Sequence, residues 1–163
     1  MSILMRRRML LAQQDDGNLA DVRLDGTIGA RATKIDNGYL VETTSYTGAY
    51  SQWVRFILTT YEITENLWGK KVRVTADVTS SNPSANPLFR FGYVNTSWGW
   101  ADFKNTSLTS GEGHFVIEYT LPNTRPSNMQ TNHPLGLLIN TQRADVTPLN
   151  TLTITNIRLE VIE

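Results

Sequence analysis

Between Val72 and Thr79 the chain alternates without a break: Val72, Val74, Ala76 and Val78 are apolar, and Arg73, Thr75, Asp77 and Thr79 are polar. Successive side chains of a strand point to opposite faces, so this run makes a strand with one buried and one wetted face and does not match a helical period. The pattern recurs. Phe89, Phe91 and Tyr93 alternate with Arg90 and Gly92, Phe115, Ile117 and Tyr119 with Val116 and Glu118, and Leu152 and Ile154 with Thr151, Thr153 and Thr155. At Thr155-Asn156 the phase slips by one residue, because Ile157, Leu159 and Val161 continue the apolar set. One extra residue on one strand predicts a β-bulge in the last strand.

Further strands are expected at residues 30–35, 39–43, 50–58 and 135–141, which are rich in β-branched and aromatic side chains. Turn chemistry separates them at Asp36-Asn37-Gly38, Ser81-Asn82-Pro83, Asn86-Pro87, Pro122-Asn123 and His133-Pro134. Residues 61–67 read as a single helical turn before Trp68-Gly69-Lys70. About nine short strands at this spacing predict an all-β fold, a two-sheet antiparallel β-sandwich of the jelly-roll kind. The sandwich is expected over residues 18–163, behind a short N-terminal arm at residues 1–17. With 163 residues and no Cys, the chain must be held by core packing and backbone hydrogen bonds rather than by disulfides.

Formal net charge is +0, but Arg6, Arg7 and Arg8 all precede the first acidic residue, Asp15, leaving 12 basic against 15 acidic residues after them. A body of that balance lacks the dense cationic face that phosphate neutralisation needs, so nucleic acid is not the expected partner. After the arginines only residues 9–12 are apolar, short of the roughly 7 to 15 of a secretory core. No other segment approaches the roughly 18 apolar residues of a membrane span, so neither export nor membrane insertion is expected.

Catalytic chemistry is hard to assemble from these residues. His114 and His133 have no Cys, second His or carboxylate at metal-ligand spacing. No Glu-x-Asp-x-Glu run places two carboxylates on one strand face for glycoside hydrolysis, and no phosphate loop or nucleophile elbow is present. The expectation is a non-enzymatic protein without a metal site or cofactor. A structural calcium ion stays open, because backbone carbonyl ligands leave no sequence trace and Asp15, Asp16 and Asp36 lie near expected loops.

The aromatics are more informative. Trp98 and Trp100 flank Gly99 in a polar setting and share one face if that stretch is extended. On residues 50–58, Val54, Phe56 and Leu58 make the core set, which turns Trp53 and Arg55 outward; Arg90 likewise opposes the aromatic face of its strand. A sugar has an apolar C–H face and a rim of donors and acceptors, so flat rings beside arginines suit it. Trp53, Arg55, Arg90, Trp98 and Trp100 are therefore candidate glycan-binding residues. The competing reading is that the tryptophans fill the core or an interface, with Trp68 closing one end of the sandwich.

Three stretches carry a resemblance: Gly38-Tyr39-Leu40-Val41-Glu42-Thr43, residues 67–78 beginning Leu67-Trp68-Gly69-Lys70, and the ending Leu152-Thr153-Ile154-Thr155-Asn156-Ile157-Arg158-Leu159-Glu160. From about Asn18 onward the layout resembles the galactose-binding-domain-like jelly rolls of carbohydrate-binding modules, especially those appended to phage and prophage structural proteins. The arm, with Arg6, Arg7, Arg8, Met9, Leu10 and Leu11, resembles the basic-apolar starts of phage tail, baseplate and head-fibre proteins. The resemblance implies a virion structural or decoration protein, docked through its arm to other virion proteins. Its sandwich would engage bacterial or environmental glycans, and its display in many copies would make it a homo-oligomer. A carbohydrate-binding module without a virion role and a virion subunit without a glycan ligand are the alternatives.

Overall fold

The computed structural model describes residues 17–108 and 113–162. They form ten strands and one short α-helix. In chain order these are β1 (Arg23–Ile28), β2 (Ala30–Ile35), β3 (Gly38–Thr43), β4 (Trp53–Ile57), α1 (Tyr61–Glu65), β5 (Lys71–Ser80), β6 (Leu88–Val94), β7 (Trp100–Ser107), β8 (His114–Thr120), β9 (Gly136–Asn140) and β10 (Thr151–Val161). The arm residues Arg6 to Leu11, and Asp15 and Asp16, lie outside the described residues.

Two five-stranded sheets stack as a sandwich. Sheet one runs β1-β4-β9-β6-β7 and sheet two runs β2-β3-β10-β5-β8, with every neighbouring pair antiparallel. The core lies between them, where Val54 and Phe56, Leu137 and Ile139, and Phe89 and Phe91 of sheet one meet Val41, Val72, Val74, Leu152, Ile154 and Ile117 of sheet two, all essentially buried. Phe89 and Phe115 stack across the gap with ring centroids 4.4 Å apart. Trp68 is partly buried and packs on this core from the corner between α1 and β5.

One departure from the expected layout lies at an edge. The additional strand β1, Arg-Leu-Asp-Gly-Thr-Ile, has no clean alternation because a register shift between Leu24 and Gly26 breaks its pairing with β4. The chain then changes sheets at Gly29, whose φ of 63° favours glycine and where a Cβ would lie 2.8 Å from Gln52 Cβ. In β10, at the centre of sheet two, the expected bulge is present: the pairing with β5 shifts between Thr155 and Arg158, and Asn156 takes a φ of 54°. This bulge keeps both Ile154 and Ile157 in the core despite the phase slip.

The helix α1 is short and locally capped. Thr60 Oγ1 accepts from the Ile63 N–H at 3.2 Å, and the chain leaves the turn through Gly69 at φ 80°. Among the described residues, no helix is long and apolar enough to cross a membrane.

Candidate functional site

Because Val54, Phe56, Leu137, Ile139, Phe89 and Phe91 face the core, the residues between them face away from it on sheet one. Strand register arranges these in rows: Leu88 beside Asn140 beside Trp53, then Arg90 beside Leu138 beside Arg55, then Gly92 beside Gly136 beside Ile57. Arg55 and Arg90 thus flank Leu138 on either side. Leu138 is 4% exposed and Asn140 0%, although both point outward. Outward residues are buried only where neighbours rise around them, so the middle of this sheet is the floor of a depression.

One wall comes from β7. The Trp100 indole N–H donates to Asp102 Oδ1 at 2.6 Å, and Asp102 also accepts from Arg90 Nε at 3.0 and 3.2 Å and from the Asn105 amide at 3.3 Å. Arg90 in turn donates from Nη1 to Asn140 Oδ1 at 3.3 Å and lies 5.9 Å from the Tyr50 ring centroid. The Trp100 ring lies over Gly136: a Cβ there would sit 3.2 Å from Cη2 and 3.4 Å from Cζ3. Gly136 leaves the space that the indole occupies, while Gly92 beside it lies against the β7 backbone at Ala101 and Asp102. Carboxylate, guanidinium and amide together hold the ring in one orientation before any ligand arrives.

The opposite wall comes from β4 and β1. The Arg55 guanidinium lies 5.2 Å from the Trp53 ring centroid, and its Nε donates to Asp25 Oδ2. The other Asp25 oxygen is 3.3 Å from His133 Nε2, and the His133 ring meets Trp98 edge-on at 5.4 Å between centroids. His133 Nδ1 is buried with no hydrogen-bond partner among the described residues.

All five residues singled out in the sequence, Trp53, Arg55, Arg90, Trp98 and Trp100, lie at this outer face. One expectation about them is corrected. Trp98 is not a strand neighbour of Trp100, because residues 95–99 form a turn in which Asn95 Oδ1 accepts from the Ser97 and Gly99 N–H groups at 2.9 and 3.0 Å. That turn puts Trp98 at φ 64°, 64% exposed, while Trp100 opens β7.

Tyr50, Asp25, His133, Leu138, Asn140 and Asn105 were missed by sequence reasoning. They reach the face through strand pairings and, for Tyr50 and His133, through loops, which leave no local signal; a carboxylate at the β1 register shift, Asp25 before Gly26, is the nearest thing to one.

A buried polar network positions the loops at the Tyr50 end. Asn150 donates to Thr141 O at 2.8 Å and accepts from Ser80 Oγ at 2.8 Å and Asn82 N at 3.0 Å, while Gln52 Nε2 donates to Gln142 O at 2.8 Å. Asn150, Gln142 and Gln52 are all at most 1% exposed, so their partners are obligatory. Metal chemistry finds no such arrangement. Asp36 stands in the β2–β3 turn, and among the described residues no group of three His, Cys, Asp or Glu side chains converges.

No protein-family model and no curated protein matches the sequence. Solved structures do. One described as "CBM4 structure and function" superposes with a TM-score of 0.56 at 15% identity, over 83% of this chain and 92% of that one. The second N-terminal cellulose-binding domain of Cellulomonas fimi β-1,4-glucanase C gives 0.51 at 13% identity, over 88% and 90%. The CBM22-1 and GH10 modules of Clostridium thermocellum xylanase 10B, complexed with xylohexaose, give 0.51 at 12% identity, over 91% of this chain and 27% of that one. At such identities the likeness is one of architecture, and the fold is the jelly roll of carbohydrate-binding modules.

Proposed function

We propose that this chain is a non-catalytic glycan-binding module and that the outer face of sheet one is its ligand surface. The observation that carries this reading is the lock on Trp100. Its ring lies over Gly136 and is tied by Asp102, which is itself tied by Arg90 and Asn105. A pre-oriented ring binds the apolar face of a pyranose without first losing rotamer freedom, and the surrounding amides and guanidiniums meet the hydroxyl rim. Trp53 beside Arg55 offers a second platform across the floor. The solved neighbours supply the ligand class for a first panel, since one is a cellulose-binding domain and another was crystallised with xylohexaose.

Hydrolysis fits this face poorly. Its two carboxylates, Asp25 and Asp102, belong to β1 and β7 at opposite edges of sheet one. Each is also paired with an arginine.

Virion docking through residues 1–17, virion localisation and homo-oligomerisation rest on the resemblance of the arm. The solved neighbours favour a carbohydrate-binding module without a virion role at least as well. Affinity electrophoresis through gels containing soluble xylan, cellulose derivatives and mixed-linkage glucan tests the central reading. Retardation of the wild-type chain that is lost in a folded Trp100→Ala or Trp53→Ala protein supports it. No retardation in any gel, or retardation unchanged in both variants, overturns it. Release of reducing ends from the same polymers would overturn the non-catalytic part.

A further inference from the structure

At the Tyr50 end of the same face lies a depression of about 420 Å³ lined by Tyr50, Leu88, Arg90, Asp102, Asn105 and Arg143. Its charges do not cancel. Arg90 is paired with Asp102, whereas Arg143 has no carboxylate partner among the described residues. Arg143 Nε donates to Asn86 O at 2.9 Å and Nη2 donates to Ser107 Oγ at 2.8 Å. A guanidinium carries five N–H donors in a planar fork, and neutral oxygens here occupy one edge of it. The Nη1 donors have no acceptor among the described residues. Arg143 is therefore held in place by two neutral anchors, with its charge and its outer edge unclaimed. Tyr50, lining the same depression, is 58% exposed.

Resting on the glycan-binding reading above, we infer that the preferred ligand of this module is an acidic glycan whose uronic acid unit lies on Tyr50 with its carboxylate on Arg143. A planar carboxylate matches the two parallel N–H donors of a guanidinium edge, and such charge-assisted pairs are the strong ones. A sulfate ester brings the same charge without that planarity.

The experiment compares the full chain on two acidic polymers, glucuronoxylan and polygalacturonate, each against its carboxyl-reduced form, with dextran sulfate against dextran as a third pair. At least one acidic polymer should bind roughly tenfold more tightly than its reduced form. The preference should shrink in 1 M salt, where the screening length falls to about 3 Å. Arg143→Gln removes the charge. Ser107→Asp, at an exposed position, neutralises Arg143 where it stands; both should bring the affinity ratio towards one. Reduced forms bound as tightly as acidic ones overturn the inference while the glycan-binding reading stands. An acidic preference kept in both variants removes Arg143 from the site. Discrimination in the sulfate pair alone replaces the carboxylate with a sulfate. No binding to any polymer, neutral or acidic, takes down both readings.

Discussion

Trp100 and Asp102 sit two residues apart at the start of β7, and the indole N–H of the first donates to the carboxylate of the second at 2.6 Å. That carboxylate also holds Arg90, so one acidic side chain fixes an aromatic platform and a cation together. Asp102→Ala should release both. The side chains of Arg90 and Asp102 are 22% and 27% exposed, so solvent screens the pair in part and the stability loss should be about 1–2 kcal/mol. Glycan affinity should fall by roughly tenfold, because ordering the loosened ring and guanidinium is then charged to binding. Denaturant unfolding measures the first and affinity electrophoresis the second; a folded variant that binds as the wild type does would separate Asp102 from the site.

Gly136 tests the same platform from below. A Cβ there would meet Phe56 O at 2.8 Å and the Trp100 ring at 3.2 and 3.4 Å. Gly136→Ala must either shift the β4–β9 pairing or lift the indole, at a cost of about 1–3 kcal/mol. The expected result is a lower denaturation midpoint, altered tryptophan fluorescence and weaker glycan retention. A variant with wild-type fluorescence and retention would show that the ring does not depend on the glycine beneath it.

These two residues also show what the sequence could reveal. Alternation in β4, β5 and β6 identifies which side chains are buried, and by elimination it turns Trp53, Arg55 and Arg90 outward. It says nothing of which strands are neighbours. Arg55 and Arg90 come together only because β9 pairs with both β4 and β6, and Trp100 reaches Gly136 only because β6 pairs with both β7 and β9. Pairings of this kind join segments tens of residues apart, and no local pattern encodes them. Trp98 leaves the face that an extended stretch would give it for a local reason: the Asn95 side chain bonds its own backbone and bends the chain just before β7 begins.

On the outer face of sheet two, Glu118 accepts from Arg73 Nε at 3.1 Å and Nη2 at 3.0 Å. That hydrogen bond, helped by the charges of Arg73, Lys71 and Lys104 and opposed by desolvation, holds its carboxyl below the ordinary glutamate range. The folded group is more acidic than the unfolded one. Its contribution is therefore complete above the unfolded value, about pH 4.3, and is lost as pH falls through the folded value. Wild type and Glu118→Gln should differ in urea midpoint at neutral pH and converge on acidification below about pH 4. A gap that stays constant from neutral to acid pH would mean that the Arg73 pairing does not act through the charge of Glu118.

The bulge in β10 gives the sharpest stability test. Asn156 occupies φ 54°, its N–H donates to Asn37 O at 3.0 Å and its side-chain amide donates to Asp77 Oδ2 at 2.8 Å. Left-handed backbone costs an ordinary L residue about 1–2 kcal/mol, and β-branching makes it worse. Asn156→Gly loses the exposed side-chain bond but keeps the backbone geometry, so it should cost less than about 1 kcal/mol. Asn156→Val loses the bond and strains the backbone, and should cost about 2 kcal/mol or more. Urea unfolding of the two variants reads the difference directly. If valine were tolerated as well as glycine, the left-handed residue would not be what lets Ile154 and Ile157 share the core, and the extra residue would be absorbed elsewhere along the strand.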